Sequence, residues 1–141
     1  MRWWTTLACS IFVAACARQS DADAVRAAIM EISRATEAHQ SADVLARVSD
    51  DFAGNTGEVD RAQLANLLRM QLLANRSIGV RLGGIDVDMS GERATARFDV
   101  TLTDASGRWF AERSTTLHFV TGWRRERGAW RCYNASWEQK P

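Results

Sequence analysis

The apolar residues of this chain change their spacing halfway along, from the period of a helix to the period of a strand. Apolar side chains recur on one helical face within 21–40, and shorter stretches with the same period follow at 42–48 and 61–74. From residue 78 onward the pattern alternates, most regularly within 93–103. This order predicts an α+β domain in which three N-terminal helices pack on one face of an antiparallel sheet.

Polar residues and glycines mark where these elements begin and end. Ser20 or Asp21 is expected to cap the first helix, Ser41 the second and Asp60 the third. Range 51–57 is expected to form a loop or a short extended piece. The predicted strands are 78–89, with a bend at Gly83-Gly84, then 93–103, 108–123 and 129–138.

The start of the chain has the parts of a secretory signal. A basic residue, Arg2, is followed by a short apolar stretch that ends at residue 15, too short for a permanent membrane span. The stretch Val-Ala-Ala before Cys16 resembles the lipobox of bacterial lipoproteins, which implies removal of the signal and lipidation of the cysteine. An ordinary signal peptide cut nearby is the alternative. We therefore predict a signal peptide at 1–15, lipidated Cys16 with a short tether at 16–20, and a folded domain at 21–141.

The residue after Cys16 bears on the location of the protein. Ala17 stands where the sorting pattern of bacterial lipoproteins places an aspartate for retention in the inner membrane. The resemblance implies an outer-membrane lipoprotein that faces the periplasm, with the inner membrane as the alternative. The lipid anchor then makes the membrane the first expected partner.

Charge and cysteine content exclude several classes of protein. The formal net charge is +1, which argues against general nucleic-acid binding. If Cys9 leaves with the signal and Cys16 carries lipid, Cys132 is the last thiol, and no internal disulfide can form. Two histidines and one cysteine are too few for a Cys/His metal site, and we expect no metal or other cofactor.

Three N-terminal helices followed by a curved antiparallel sheet resemble the nuclear transport factor 2-like domains, also called SnoaL-like or cystatin-like, over essentially all of 21–139, with the most specific stretch at the end. The resemblance rests on the stretch 113–120, on Gly128-Ala129-Trp130-Arg131 after a charged turn, and on Asp50-Asp51-Phe52 after the second helix. It implies a cone-shaped cavity between sheet and helices. Such cavities serve isomerases, dehydratases, cyclases and many binders, so the fold does not select one function.

Several polar residues are candidates for lining that cavity. Asp99, Glu112, His118 and Tyr133 could supply acid–base groups, but alternation places Asp99 on the solvent side. The final strand has neither the histidine nor the aspartate that cyclase and dehydratase relatives often use there. We therefore assign no catalytic residue. The candidate pocket residues are Arg113, His118, Tyr133 and Asn134.

A basic turn lies between the last two strands. Arg124, Arg125 and Arg127 form this basic tip, and Trp123 and Trp130 flank it and could pair across the strands. The tip could contact anionic lipid or a partner protein, or it could be a solvated hairpin.

Three hypotheses for function follow. The preferred one is an anchored, periplasm-facing lipoprotein whose non-catalytic domain binds a small molecule or an envelope partner. The second is a cavity enzyme of isomerase, dehydratase or hydrolase type. The third is an envelope interaction or immunity protein with an unused cavity. A homodimer is a further alternative, because the acidic first half of one copy could pair with the basic end of another.

Overall fold

The computed structural model describes residues 20–74, 77–104 and 115–141. Two long helices and one short helix come first, with two strands among them, and five further strands follow. The elements are α1 (Asp21–Glu37), α2 (Ser41–Ala46), β1 (Val48–Gly54), β2 (Val59–Asp60), α3 (Arg61–Ala74), β3 (Ile78–Leu82), β4 (Asp86–Ser90), β5 (Arg93–Asp104), β6 (Thr115–Glu126) and β7 (Ala129–Gln139). A 3₁₀ turn, Asn55–Gly57, separates β1 from β2.

The strands form one seven-stranded sheet in the order β2-β1-β7-β6-β5-β3, and β4 pairs with β5 beyond the end of β3. The α+β class with helices on a curved sheet is confirmed, but the sheet is mixed rather than wholly antiparallel. The exception is β1, which runs parallel to β7 with Val48 opposite Cys132. This pairing begins where the Cys132 N–H donates to the Arg47 carbonyl at 2.8 Å.

The expectation of a loop or a short extended piece at 51–57 is met in its extended form as far as Gly54, the last residue of β1, and the 3₁₀ turn follows. Two expectations about the strands need correction. The predicted strand at 78–89 is two strands, because the chain breaks at the predicted glycine bend, where the Gly83 N–H donates to the Asp99 carbonyl at 2.8 Å. The two tryptophans beside the basic tip are not opposite each other: Trp123 faces Cys132, and Trp130 faces Arg125.

The helix caps follow the sequence expectations in two of three cases. The Ser20 hydroxyl accepts from the Asp23 N–H at 3.2 Å. Asp60 and Gln63 each accept from the other's N–H at 2.8 Å, which is the reciprocal capping arrangement. The expected Ser41 cap is wrong, because Ser41 is the first residue of α2, and Gln40 precedes it without a side-chain cap bond.

All the helices lie on one side of the sheet, which we call the helix-facing side; the other side is the helix-free side. The alternation in β5 predicted this correctly, since the apolar set from Ala94 to Val100 is buried there. Trp123, at 1% exposure, is the largest fully buried side chain. No helix in the described ranges is long and apolar enough to cross a membrane.

The two long helices cover the margins of the sheet more than its centre. The main contacts of α1 are with β3, α2 and β4, and those of α3 are with β1, β2 and α2. Neither helix has main contacts with the central strand β6 in the described part of the chain. On the helix-facing side of β6, Thr121 and Trp123 are nevertheless buried, so the least covered part of this strand is the stretch at Leu117 and Phe119, which are half-buried.

Candidate functional site

Three aromatic side chains cross this least covered region in a line, which we call the aromatic row. Phe98 on β5, Phe119 on β6 and Trp137 on β7 are direct neighbours in the sheet register. The rings of Phe98 and Phe119 are stacked with centroids 5.5 Å apart, and the Phe119 and Trp137 centroids are 6.1 Å apart. Phe98 is buried, but Phe119 and Trp137 are only half-buried. The row therefore offers apolar surface that the fold leaves partly uncovered.

The positions beside the row on the same side of the sheet carry no acid or base. Ala96 and Val100 flank it on β5, Leu117 and Thr121 on β6, and Ala135 on β7. The Thr121 hydroxyl is already engaged, since it donates to the Ala96 carbonyl at 3.1 Å and accepts from the Trp123 indole at 2.8 Å. Acid–base chemistry needs a titratable group in reach of the ligand, and these positions supply none.

His118 lies on the helix-free side of the sheet. Its Nδ1 donates to Asp99 Oδ1 at 2.7 Å, and Lys140 Nζ donates to the other Asp99 oxygen at 2.5 Å. Lys140 first, and His118 second, hold the pKa of the Asp99 carboxyl below its usual range. The backbone of Lys140 also holds the chain just after β7 against β6, because the Lys140 N–H donates to the Thr116 carbonyl at 2.9 Å.

The other candidate pocket residues are spread over the same helix-free side. Tyr133 lies under the guanidinium groups of Arg93 and Arg124, which are 5.5 and 5.2 Å from its ring centre. Asn134 is exposed and lies opposite Gly122. Arg113 and Glu112 lie outside the described residues. The structure does not bring His118, Tyr133 and Asn134 together around the aromatic row, and a binding role for them stays a prediction.

The arginines of the basic tip are largely paired with acids from the first half of the chain. Arg124 Nη2 is 2.5 Å from Asp51 Oδ1 on β1, and Arg125 forms an ion pair with Asp21 at the start of α1. Arg125 also stacks over Trp130, with its guanidinium 5.4 Å from the ring centre. The fold thus places the acidic counter-charges at the tip itself, which reduces the positive field that the sequence suggested.

Cys132 is a buried free thiol. Its Sγ donates to the Asn134 carbonyl at 3.1 Å, and burial raises its pKa to about 12. It therefore packs as a small apolar group. Within the described ranges, no three side chains of the His, Cys, Asp or Glu type converge on a metal-sized site.

A half-buried carboxylate, Glu126, is the centre of a network that joins β1 to the hairpin of β6 and β7. Glu126 Oε1 accepts from the Ser49 hydroxyl at 2.8 Å and from Arg124 Nε at 2.6 Å. Ser49 is fully buried. These bonds, with Ser49 as the largest cause, hold the pKa of Glu126 below its ordinary value of 4.5. The network favours the ionised glutamate, so it stabilises the fold only while Glu126 is charged.

We expect acid to destabilise the domain through Glu126. Because the folded pKa is depressed, its contribution is present above the ordinary value of 4.5 and is lost as the pH falls below it. Thermal unfolding measured from neutral pH to about pH 3 should show a smaller acid-induced loss in Glu126→Gln than in the wild type. Glu58→Gln, at an exposed position, is the control and should keep the full pH dependence. Equal pH dependence in all three proteins would contradict the role of this network.

Comparison with known proteins shows the fold. No model of a protein family matches the sequence, and no curated protein is similar to it. Solved structures do match: a nuclear transport factor 2-like protein of unknown function from Pseudomonas putida superposes with a TM-score of 0.74 at 14% identity, covering 84% of this chain and 85% of that one. The chain thus has the nuclear transport factor 2-like, or cystatin-like, fold.

Some of the structures that share this fold have been associated with enzymes. A proposed scytalone dehydratase from Novosphingobium aromaticivorans has a TM-score of 0.67 at 14% identity, with 84% of this chain and 83% of that chain covered. A proposed aromatic ring hydroxylase from the same organism has a TM-score of 0.66 at 17% identity, with 84% and 88% covered. At identities this low, the comparisons establish a common fold only. The function of this chain has to be argued from its own residues.

Proposed function

We propose that this protein is an envelope lipoprotein, anchored through Cys16 and facing the periplasm, whose domain binds an apolar small molecule over the aromatic row without catalysing a reaction. The observation that carries the binding proposal is the half-buried state of Phe119 and Trp137 at the centre of the sheet. The anchor rests on the sequence before residue 20.

The chemistry of the row supports an apolar ligand. Small-molecule sites are lined mainly by apolar and aromatic side chains, with few polar groups to fix orientation. Aromatic rings favour stacked or edge-to-face contact with a ring in the ligand. Leu102 and Leu117, both half-buried, extend the apolar surface away from the basic tip. A ligand with a flat or branched hydrocarbon body would therefore suit this surface.

A non-catalytic role is favoured over the enzyme alternative for a geometric reason. The one His–Asp pair in the described residues, His118 with Asp99, lies on the opposite side of the sheet from the row. Asp99 is moreover already bound to Lys140. A ligand on the row could not exchange a proton with this pair.

Fluorescence of the apolar probe N-phenyl-1-naphthylamine tests the binding proposal. The fragment 20–141 should bind the probe saturably, and Phe119→Ala should weaken binding by roughly tenfold, the equivalent of about 1.4 kcal/mol. Val120→Ala is the matched control, because the neighbouring residue on the same strand points to the helix-free side. Its affinity should equal that of the wild type.

Two outcomes would count against the proposal. Absence of saturable binding to the folded fragment would remove the row as a site for apolar ligands. Equal loss of affinity in Phe119→Ala and Val120→Ala, with both variants folded by circular dichroism, would show that the probe does not bind on the helix-facing side.

A further inference from the structure

A concave surface lies beside the helices, and none of the three residues of the aromatic row belongs to its lining. It is an open cleft of about 560 Å³ between the C-terminal half of α1, the short helix α2 and the first residues of β7. The cleft exists because β1 begins to pair with β7 only at Cys132, so that Ala129 and Arg131 border the helices instead of a neighbouring strand.

Three arginines from three different elements line this cleft. Arg34 belongs to α1, Arg47 follows α2, and Arg131 belongs to β7. Two carboxylates share the lining, Glu31 and Asp43. Glu31 is already neutralised, because Arg47 Nε donates to its Oε2 at 2.8 Å. Arg34 has no ion pair in the described residues, and Arg131 has only a long one, 3.9 Å from Glu126, so these are the guanidinium groups with capacity left for a ligand.

The hydrogen-bonding capacity of these two arginines is largely unused. Arg34 is exposed and forms no ion pair within the described residues. The Nε of Arg131 is buried without a hydrogen-bond partner, and its nearest carboxylate oxygen, on Glu126, is 3.9 Å away. A buried donor without a partner is unfavourable, and Arg131 is one of the residues that line the cleft.

The rest of the lining is small and apolar. Four alanines contribute to it: Ala35, Ala38, Ala46 and Ala129. Their short side chains leave room beside the arginines, and the volume falls in the range of small-molecule sites. The guanidinium fork matches the geometry of carboxylate and phosphate groups.

We propose that this cleft binds a small soluble organic anion, whose phosphate or carboxylate is held by Arg34 and Arg131 and whose apolar body lies on the alanines. The site is separate from the aromatic row and takes ligands of different chemistry. It does not depend on the function proposed for the row.

Calorimetric titration of the purified full-length chain in a non-ionic detergent with phenyl phosphate tests this proposal. We expect saturable binding that weakens about tenfold or more in Arg34→Gln and in Arg131→Gln, because each change removes one charge-assisted hydrogen-bonding group. Asp43→Asn should tighten binding, since it removes a repelling carboxylate. Arg69→Gln, at an exposed position on α3 outside the cleft, is the control and should leave affinity unchanged.

Further ligands test the assigned chemistry. Inorganic phosphate should bind at least tenfold more weakly than phenyl phosphate, because it makes no contact with the alanines. Dihexanoylphosphatidate, which carries the diacylglycerol body of a lipid in place of the compact ring, should bind no more tightly than phenyl phosphate.

Each opposite result would overturn the proposal. Equal affinity for inorganic phosphate would remove the apolar part of the site, and tighter binding of the phosphatidate would assign the cleft to a lipid head group. Unchanged affinity in Arg34→Gln would dismiss the cleft as the site, and this exposed variant remains informative even if Arg131→Gln fails to fold. Failure of the wild-type chain to bind phenyl phosphate would also overturn the proposal.

Discussion

Trp123→Ala is expected to unfold the domain or bring it close to unfolding. The side chain is 1% exposed, and its indole N–H donates to the Thr121 hydroxyl at 2.8 Å. Removing a buried tryptophan side chain costs about 3–5 kcal/mol, a large share of the roughly 5–15 kcal/mol by which domains are stable. The space that the substitution leaves would lie where β5, β6 and β7 meet, because Trp123 is opposite both Ala94 and Cys132.

Thermal unfolding followed by circular dichroism measures this effect. The loss corresponds to a fall of roughly 10–20 °C in melting temperature for a domain of this size. Trp137→Ala is the matched control, since it makes the same chemical change at a half-buried position, and its melting temperature should fall much less. A similar fall in both variants would contradict the view that the core is closed at Trp123 and open at Trp137.

Cys16→Ser is expected to abolish fatty-acid labelling of the protein in bacterial cells. The predicted modification needs the thiol, because the lipid is attached to sulfur, and a serine hydroxyl cannot replace it. A single acyl chain gives only marginal membrane binding, whereas several chains give stable anchoring. Without lipid on residue 16, the tether at 16–20 would no longer attach the domain to the membrane.

Incorporation of an alkyne-tagged palmitate, followed by intact mass spectrometry, measures this outcome. The wild-type chain should carry the tag and begin at Cys16. Cys9→Ser is the matched control, because Cys9 lies within the predicted signal peptide, and this variant should be labelled and processed like the wild type. Labelling of Cys16→Ser, or a mature chain that begins at another residue, would contradict the lipoprotein prediction.

Local periodicity predicted the three helices and β5, although α1 ends at Glu37 and α2 at Ala46, earlier than the predicted ends at 40 and 48. The third helix was predicted at 61–74 and lies at Arg61–Ala74, because its apolar spacing and the Asp60 cap are both local signals. Strand β1 was predicted only in part, as one of two alternatives for 51–57, because it contains Asp50 and Asp51 and ends at a glycine. Its extended state depends on partners far along the chain, such as the Ser49 bond to Glu126, 77 residues away.

The candidate site was harder to predict because of one irregularity in the sheet. Strict alternation from Trp130 through Cys132 would direct Asn134 to the helix-facing side. The register shifts between Gly122 and Trp123, which pair with Asn134 and Cys132. Strand β7 therefore has one extra residue here, Tyr133, without a partner on β6. This bulge reverses the phase, so that Ala135 and Trp137 face the helices instead. Bulges are set by pairing between strands, which a single sequence does not reveal.

The basic tip shows a similar dependence on distant contacts. The sequence presents acids in the first half and arginines at the end, and this separation suggested contact with an external anion or a second copy of the chain. In the fold, Asp21 and Asp51 pair with Arg125 and Arg124 within one molecule. Charge separation along a chain therefore predicts little about charge separation in space.

The measurement that tests the proposed function most directly is a nuclear magnetic resonance titration of the ¹⁵N- and ¹³C-labelled fragment 20–141 with N-phenyl-1-naphthylamine. The account predicts that the largest shift changes occur at Phe98, Phe119 and Trp137, with intermolecular contacts from the probe to these rings. Shift changes centred on His118 and Tyr133, on the helix-free side of the sheet, would contradict it, as would a spectrum that the probe leaves unchanged.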